Sequence, residues 1–217
     1  MSIKVFLADD HAVVRDGLRF LLGAQSDMTV VGDAADGREA VRQVKQLRAD
    51  VVIMDIGMPG LNGIDATQQI HESFPSTRVI ILSMYASTEH ISRALQAGAL
   101  GYVMKESAGK EVTDAIRSVH AGRVYLSKQI SETMLSDYIR MRRAPQIQTP
   151  LENLSLRERE VLQLAVEGKS SREIAEILYL SPKTVETYRS RLMEKLGIND
   201  LAGLVKFAIQ HGITPPQ

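Results

Sequence analysis

The chain has 217 residues, of which 44% are hydrophobic and 24% are charged, and it contains no cysteine. This composition is typical of a soluble globular protein, the length is sufficient for two domains, and no apolar run reaches the roughly 20 residues of a membrane-spanning helix. The lack of cysteine excludes disulfides, thiolate zinc sites and cysteine nucleophiles. The N-terminus enters a strand-like run without a signal peptide, so we expect a cytoplasmic protein with no membrane partner.

The net charge is zero, but the charges are unevenly distributed along the chain. Residues 1–121 carry 12 Lys and Arg side chains against 15 Asp and Glu, whereas the remainder carries 14 against 11. The second part therefore has the sign that favours nucleic acid, although an ordinary solvated surface can produce the same difference.

The first half alternates short apolar runs with longer amphipathic stretches, which is typical of βαβ units. In the first amphipathic stretch, core packing accounts for the apolar residues Val13, Val14, Leu18, Leu21 and Leu22. Strands are predicted at 3–8, 29–32, 51–54, 78–82 and 101–103. The pattern predicts an α/β domain over residues 1–121, with a doubly wound, five-stranded parallel sheet.

Residues 122–150 are predicted to form a linker that contains a helix over 128–143 and ends in a stretch with two prolines. Only helical patterns follow within residues 151–217, at 155–167, 171–178, 182–196 and 200–211. Ser155 precedes Glu158 as in a capping box, and Ser181 precedes a proline at the first position of a helix. Glycines stand where C-terminal caps belong, at Gly168, Gly197 and Gly212. We therefore predict a small all-α second domain.

Polar groups with related chemistry are placed beyond four of the five predicted strands, where parallel strands open onto a common crevice. They are Asp9 and Asp10 after the first strand, Asp55 at the third, Ser83 after the fourth and Lys105 after the fifth. Hard carboxylate oxygens suit Mg²⁺, and an adjacent ammonium and hydroxyl suit phosphoryl oxygens, so Asp55 is a candidate nucleophile. Each residue alone is explained as a helix cap, a turn residue or a solvated side chain, but the whole set favours a site.

Three segments closely resemble receiver domains of response regulators, which have a flavodoxin-like fold: DDHAVVRDGL at 9–18, DIGMPGLNG at 55–63 and GALGYVMK at 98–105. The resemblance covers about residues 3–121. It implies that Asp55 accepts phosphate from a sensor histidine kinase. It also implies that Asp10, Asp55 and the Gly57 carbonyl ligate Mg²⁺, with Asp9 acting mostly through water.

The same resemblance makes Ser83 and Tyr102 a switch pair, in which the hydroxyl moves toward the phosphate and the ring follows it inward. Receivers commonly have a cis proline after the lysine, but here Glu106 follows Lys105. A cis bond to a residue other than proline costs about 3–4 kcal/mol, and the sequence leaves open whether this bond is trans or strained.

Residues 168–191 contain two helices joined by a tight turn, an arrangement that suits reading of the DNA major groove. Together with LSLREREVL at 154–162 and MEKLGI at 193–198, this part closely resembles the LuxR/NarL-type DNA-binding domain over about 151–213. The resemblance places Glu186, Thr187 and Ser190 at base edges, where Glu186 is unusual because it repels phosphates, although it can accept from cytosine. The other candidates for DNA contact or packing are Lys183, Thr184, Tyr188, Arg189, Arg191 and Lys195.

The last predicted helix carries Leu204, Val205 and Ala208, which resemble the dimer contact of that family and could equally be core residues. Taken together, the resemblances imply a NarL/FixJ-type transcription regulator that is not an enzyme. Phosphorylation of Asp55 would control formation of a homodimer and binding of promoter DNA, with RNA polymerase as a further candidate partner.

Two other classes of protein use some of the same features. An aspartyl-nucleophile phosphohydrolase would use the same carboxylates and Mg²⁺, but its usual D-x-D arrangement is missing because Gly57 stands two residues after Asp55. A constitutive DNA-binding protein with a purely structural receiver is disfavoured by the complete acidic set.

Overall fold

The computed structural model describes residues 2–141 and 150–214, and the chain divides into two compact units, Met1–Ala144 and Pro145–Gln217. The predicted linker stretch at 144–150 lies outside the described residues except for Pro150, as does the predicted end of the preceding helix at Arg143. Within the two described ranges, no helix combines the length and the hydrophobicity that a membrane crossing requires.

The first unit is a doubly wound parallel α/β structure, as predicted. Its strands and helices are β1 Ile3–Ala8, α1 Ala12–Gly23, β2 Met28–Ala34, α2 Gly37–Leu47, β3 Val51–Asp55, α3 Gly63–Ser73, β4 Arg78–Ser83, α4 Thr88–Gln96, β5 Gly101–Met104, α5 Ala108–His120, β6 Tyr125–Leu126 and α6 Lys128–Met141. The strand order is β2-β1-β3-β4-β5-β6, and every pairing is parallel.

The predicted number of five strands is wrong, because β6 adds a sixth strand beside β5. This strand has only two residues, too few to show the apolar run by which the other strands are recognised. Residues beyond 121 also continue the core, since Ile130 of α6 is fully buried against the sheet. Both β6 and α6 thus belong to the first unit.

Each face of the sheet is covered by its own set of helices. On one face α1 and α5 bury residues such as Leu22 and Ile116, and on the other α2, α3 and α4 bury residues such as Val44, Ile70 and Ile91. Because both faces are covered, the central strands are apolar except at their ends and do not alternate. Functional groups are consequently confined to the strand ends.

The second unit is helical, as predicted. It contains a 3₁₀ turn at Pro150–Asn153 followed by α7 Leu156–Val166, α8 Ser171–Leu178, α9 Pro182–Leu196 and α10 Leu201–Gln210. The Ser155 capping box and the Ser181 cap before Pro182 are confirmed. The backbone has positive φ at all three predicted glycines, Gly168, Gly197 and Gly212. A separate hydrophobic core joins the four helices.

Candidate functional site

The predicted acidic residues meet at the carboxyl edge of the first unit's sheet. Lys105 places its Nζ 2.8 Å from Asp9 Oδ2 and 3.0 Å from Asp55 Oδ1, so it bridges residues that follow β1 and end β3. Asp9 and Asp55 are buried, whereas the side chain of Asp10 is 29% exposed. The crevice therefore presents an ammonium and carboxylates to a ligand arriving from the side of Asp10.

Burial dominates the electrostatics of this crevice. It raises the pKa of Asp55 to about 6, against the opposing effect of Lys105 and with a further increase from Asp9 and Asp10. Burial alone would lower the pKa of Lys105, but the carboxylates of Asp55 and Asp9 outweigh it and raise that pKa. The lysine is thus a fixed positive charge beside a carboxyl group whose ionised form is destabilised.

The donor atoms of the crevice are compatible with a divalent metal ion. One ligand atom from each of Asp9, Asp10, His11 and Asp55 lies within 4.8 Å of the others. Asp9 Oδ2 and Asp10 Oδ1 are buried, and their nearest polar neighbours are Lys105 Nζ at 2.8 Å and His11 Nδ1 at 2.6 Å, respectively. Gly57 lies next to this set, because a Cβ there would stand 3.8 Å from Asp55 Oδ2.

The two residues predicted to act as a switch are buried side by side. Ser83 ends β4 and accepts a hydrogen bond from the Tyr85 amide at 3.0 Å. The Tyr102 hydroxyl donates to the Tyr85 carbonyl at 2.6 Å and also interacts with the Ser83 hydroxyl. Burial raises the pKa of Tyr102 to about 12, so the phenol remains a donor. The Tyr102 ring is fully buried.

The bond between Lys105 and Glu106 is trans, since the described residues contain no cis peptide. A short 3₁₀ turn at Lys105–Ser107 carries the chain from β5 into α5. Lys105 reaches both carboxylates from this turn, so this site does not require the cis bond that receivers commonly have.

Two residues of the crevice were missed by sequence reasoning. His11 places its Nδ1 2.6 Å from Asp10 Oδ1 and 3.2 Å from Asp9 Oδ1. Arg15 donates to the Asp9 carbonyl at 2.6 Å and pairs with Asp33 at 2.9 Å, which ties α1 to the ends of β1 and β2. The available signal was position, because His11 directly follows the two aspartates and Arg15 stands three and seven residues before Leu18 and Leu22, the buried residues of α1.

A second group of predicted residues lies on α9. Five of them, together with Ser181, line a concave surface of about 390 Å³: Lys183, Thr184, Thr187, Tyr188 and Arg191. Ser190, another predicted residue on this helix, is exposed. The α9 surface, defined by these residues, thus offers two cations and several hydroxyl groups from one helix.

Glu186 is exposed, but its carboxylate has a partner within the second unit. Its carboxylate accepts a hydrogen bond from Ser171 at the start of α8, and Arg189 donates to the same hydroxyl at 3.1 Å. Ser171 therefore fixes the direction of Glu186, and Arg189 also contributes to the packing of α8 on α9.

Three predicted interface residues have internal partners that change their interpretation. Lys195 Nζ lies 2.7 Å from Oε2 of the buried Glu158, so it joins α9 to α7. Leu204 and Ala208 are 1% and 0% exposed and lie in the core of their own unit. Their side chains are therefore not available at the surface for a dimer contact, and only Val205 of the predicted set is partly exposed.

Comparisons with known proteins agree with this two-part organisation. Residues 5–117 match the family described as response regulator receiver domain, and residues 152–208 match the family described as bacterial regulatory proteins, luxR family. The oxygen regulatory protein NreC of Staphylococcus haemolyticus is 38% identical over 211 residues, covering 96% of this chain and 97% of that protein. NreC of Staphylococcus carnosus is 39% identical with the same coverage.

Solved structures give the same result. A LuxR-family two-component response regulator from Aurantimonas sp. SI85-9A1 is 34% identical with a TM-score of 0.62, over 64% of this chain and 99% of that one. The RcsB response regulator of Salmonella typhimurium is 29% identical with a TM-score of 0.66, over 97% and 98% of the two chains. An RcsB–DNA complex matches at 28% identity and a TM-score of 0.59, over 95% and 98%.

Proposed function

The chain belongs to the NarL/FixJ family of two-component response regulators, which are transcription factors and not metabolic enzymes, and we propose that phosphorylation of Asp55 controls its binding to promoter DNA. The observation that carries this proposal is the position of Lys105 between Asp9 and Asp55. A fixed cation between two buried carboxylates can pair with an incoming phosphoryl group while one of the carboxylates attacks it.

The proposed reaction is transfer of a phosphoryl group from a phosphohistidine of a sensor histidine kinase. An oxygen of Asp55 attacks phosphorus, the bond from phosphorus to the kinase imidazole breaks, and an acyl phosphate remains on Asp55. Lys105 then pairs with a phosphoryl oxygen, and the hydroxyl of Ser83 donates to another. Asp9 keeps Lys105 in place by its contact at 2.8 Å.

The carboxylates of Asp9, Asp10 and Asp55 and the carbonyl of Gly57 are the groups proposed to hold Mg²⁺. The bound ion would supply positive charge that offsets repulsion between the carboxylates and the phosphoryl group. The same charge favours ionised Asp55, whose raised pKa otherwise reduces the fraction of nucleophile near neutral pH.

We expect acetyl phosphate or a partner kinase, with Mg²⁺, to label Asp55 alone, because only this carboxylate ends a central strand opposite Lys105. Peptide mapping of an acid-stable, base-labile phosphate checks the position. Asp55→Asn should abolish labelling, and Lys105→Ala should reduce it because the phosphoryl group loses its cation. Lys110→Ala, which removes an exposed lysine on α5, is the matched control for Lys105→Ala. Label that persists in Asp55→Asn, or that forms equally after chelation of the metal, would contradict the assignment.

A series of contacts connects the acceptor site with the last helix of the first unit. Tyr102 bonds to the carbonyl of Tyr85, whose ring stacks on His90 of α4 with centroids 5.0 Å apart. On the same helix Thr88 donates to Asp137 of α6. Since α6 precedes the DNA-binding unit along the chain, a change at Ser83 and Tyr102 is proposed to be transmitted to that unit through α4 and α6.

The second unit is proposed to read the major groove with the α9 surface. Lys183 and Arg191 supply cations for phosphates, while Thr187, Ser190 and the carboxylate of Glu186 face base edges.

The phosphorylated protein is proposed to act as a homodimer on paired half-sites. Its proposed setting is the cytoplasm, where the chromosome and RNA polymerase are present, with the polymerase as a further candidate partner.

If control passes through domain arrangement, the fragment 150–217 should bind DNA without a phosphodonor and with the base preferences of the phosphorylated full chain. The reason is that phosphate can only shift an equilibrium toward the state that binds better. Gel-shift titrations of the fragment and of the full chain, with and without phosphodonor, make the comparison. In the full chain, Thr88→Val should reduce the effect of phosphodonor on DNA affinity without reducing label on Asp55.

The contradicting outcome is a fragment that selects different sequences from the phosphorylated protein. The receiver would then reshape the reading helix itself. Retained, phosphodonor-independent regulation in Asp55→Ala would instead favour a constitutive DNA-binding protein.

A further inference from the structure

Two adjacent serines at the start of α8 use their hydroxyl groups differently. Ser170 is the N-terminal cap, since its hydroxyl accepts from the Glu173 amide and the Glu173 carboxylate accepts from the Ser170 amide. This capping box is complete without Ser171. The Ser171 hydroxyl instead donates to Oε1 of Glu186 on α9. Capping of α8 therefore does not explain the direction of the Ser171 side chain.

The Ser171 hydroxyl joins a cation to an anion. A guanidinium group can only donate, so the bond of 3.1 Å between Arg189 Nη1 and Ser171 Oγ uses Ser171 as the acceptor. The single hydrogen of the hydroxyl is then directed to Glu186. Hydrogen bonds arranged in series polarise and strengthen one another. The series from Arg189 through Ser171 thus holds one oxygen of Glu186 in a fixed direction.

The stability of the second unit gains little from this series. Glu186 is exposed, and contacts of exposed charged side chains contribute little to folding because water competes for the same groups. The bonds do restrict a long side chain, whose conformational freedom would otherwise be lost when its carboxylate binds a partner. The contacts of Glu186 are therefore worth more to binding than to folding.

The other carboxylate oxygen of Glu186 is open to such a partner. In the two described ranges of the chain, Oε2 of Glu186 has no hydrogen-bond or ion-pair partner. Glu186 is one helical turn from Lys183 and from Ser190, and it directly precedes Thr187 of the concave α9 surface. A carboxylate repels phosphates and accepts only from donors, and the donors that the major groove presents are amino groups of bases.

We propose that Ser171 is a positioning residue for Glu186, and that this pair makes the α9 surface select cytosine at one position of its DNA site. The inference rests on the proposed function, because it concerns the same helix in the major groove. Cytosine presents only an amino donor there, adenine presents a donor beside an acceptor, and guanine and thymine present acceptors without a donor. A carboxylate in a fixed direction therefore gains most from cytosine and is repelled by guanine.

A purely structural role for Ser171 makes a different prediction. If the series only joins α8 to α9, loss of the hydroxyl should weaken binding to all DNA sequences by the same factor. If Ser171 positions Glu186, the same loss should lower the ratio of affinities for cytosine and guanine sites by about fivefold, because the carboxylate must then be ordered during binding. The ratio separates the two roles.

The test of Glu186 uses the full-length protein with a phosphodonor. Selection from a random DNA library gives the preferred bases, and the position that Glu186 contacts is the one at which Glu186→Gln alters the selected base. We expect the wild type to prefer cytosine over guanine there by about tenfold, and Glu186→Gln to prefer adenine, whose donor and acceptor match an amide. Glu194→Gln, which changes another exposed carboxylate on α9, is the matched control and should select the wild-type sequence.

The test of Ser171 uses gel-shift titrations of two DNA sites that differ only at that position. Ser171→Ala should lower the ratio of affinities for the cytosine and guanine sites by about fivefold, and Ser171→Thr, which keeps a hydroxyl, should retain the wild-type ratio. Equal weakening of both sites by Ser171→Ala would overturn the positioning role. A Ser171→Thr protein with the ratio of Ser171→Ala would do the same.

Failure of the inference is distinguishable from failure of the proposed function. If Glu186→Gln selects the wild-type bases at every position, or if the wild type does not prefer cytosine at the altered position, selection of cytosine by Glu186 is wrong and the proposed DNA binding stands. A wild type that binds all sequences alike would instead contradict the proposed function itself.

Discussion

Gly63→Ala should destabilise the first unit by about 3 kcal/mol or more and abolish efficient phosphorylation of Asp55. A Cβ at Gly63 would lie 1.8 Å from the carbonyl oxygen of Asp55 and 2.8 Å from its carbonyl carbon, so the start of α3 would have to separate from the end of β3. The amide of Gly63 also donates to the carbonyl of Ile56 at 2.9 Å. The backbone of the acceptor residue is thus packed directly against this glycine.

Thermal unfolding of the first unit measures the loss, which should lower the midpoint by roughly 10 °C. Gly17→Ala is the matched control, because a Cβ at Gly17 meets nothing within 4 Å and alanine is favoured over glycine in a helix by about 1 kcal/mol. This control should be as stable as the wild type or more so, with normal labelling. A Gly63→Ala protein of wild-type stability would show that the contact relaxes without cost.

The acidic site could be predicted from the sequence because the carboxyl ends of parallel strands lie at the same edge of the sheet. Apolar runs identify central strands that are buried on both faces, and the residues just beyond them then share one edge. Asp9, Asp55 and Lys105 were placed together by this rule alone, and they are in contact. Gly63 could not be interpreted in the same way, because its importance depends on a distance between two backbones.

The local sequence pattern did not predict burial correctly where the packing partners of a residue come from distant parts of the chain. Val13 has helical spacing with the core residues of α1, yet it is 84% exposed. The reverse holds for Ile130, which lies in a segment predicted as linker but is fully buried. Periodicity records which residues share a helix face, whereas burial depends on the surface that the rest of the chain provides.

The sequence is the least reliable predictor of a cation's partner when two anionic partners are possible. Lys195 lies on the helix that carries the predicted DNA contacts, so its sequence position favours phosphate. Glu158 has the sequence spacing of the acidic residue in a capping box, and its carboxylate does accept a hydrogen bond from the Ser155 amide. Only the fold shows that its carboxylate is also buried against Lys195.

Lys195→Met should destabilise the second unit by about 2 kcal/mol, because it leaves the buried carboxylate of Glu158 without its cation. Burial alone would raise the pKa of Glu158, but hydrogen bonds from Lys195 and Ser155 outweigh it and lower that pKa. A lowered pKa in the folded state means stabilisation that is present above the unfolded pKa and lost as the pH falls through the folded pKa. The difference between variant and wild type should therefore shrink in acid.

Arg191→Ala is the matched variant, since Arg191 is an exposed cation on the α9 surface. It should leave the unfolding midpoint unchanged, weaken specific and nonspecific DNA similarly, and reduce the salt dependence of binding by about one unit. Circular dichroism melts from pH 3 to 8 and gel shifts at several salt concentrations separate the two roles. If Lys195→Met melts like the wild type and flattens the salt dependence, then Lys195 is a phosphate contact and its bond to Glu158 contributes little to the fold.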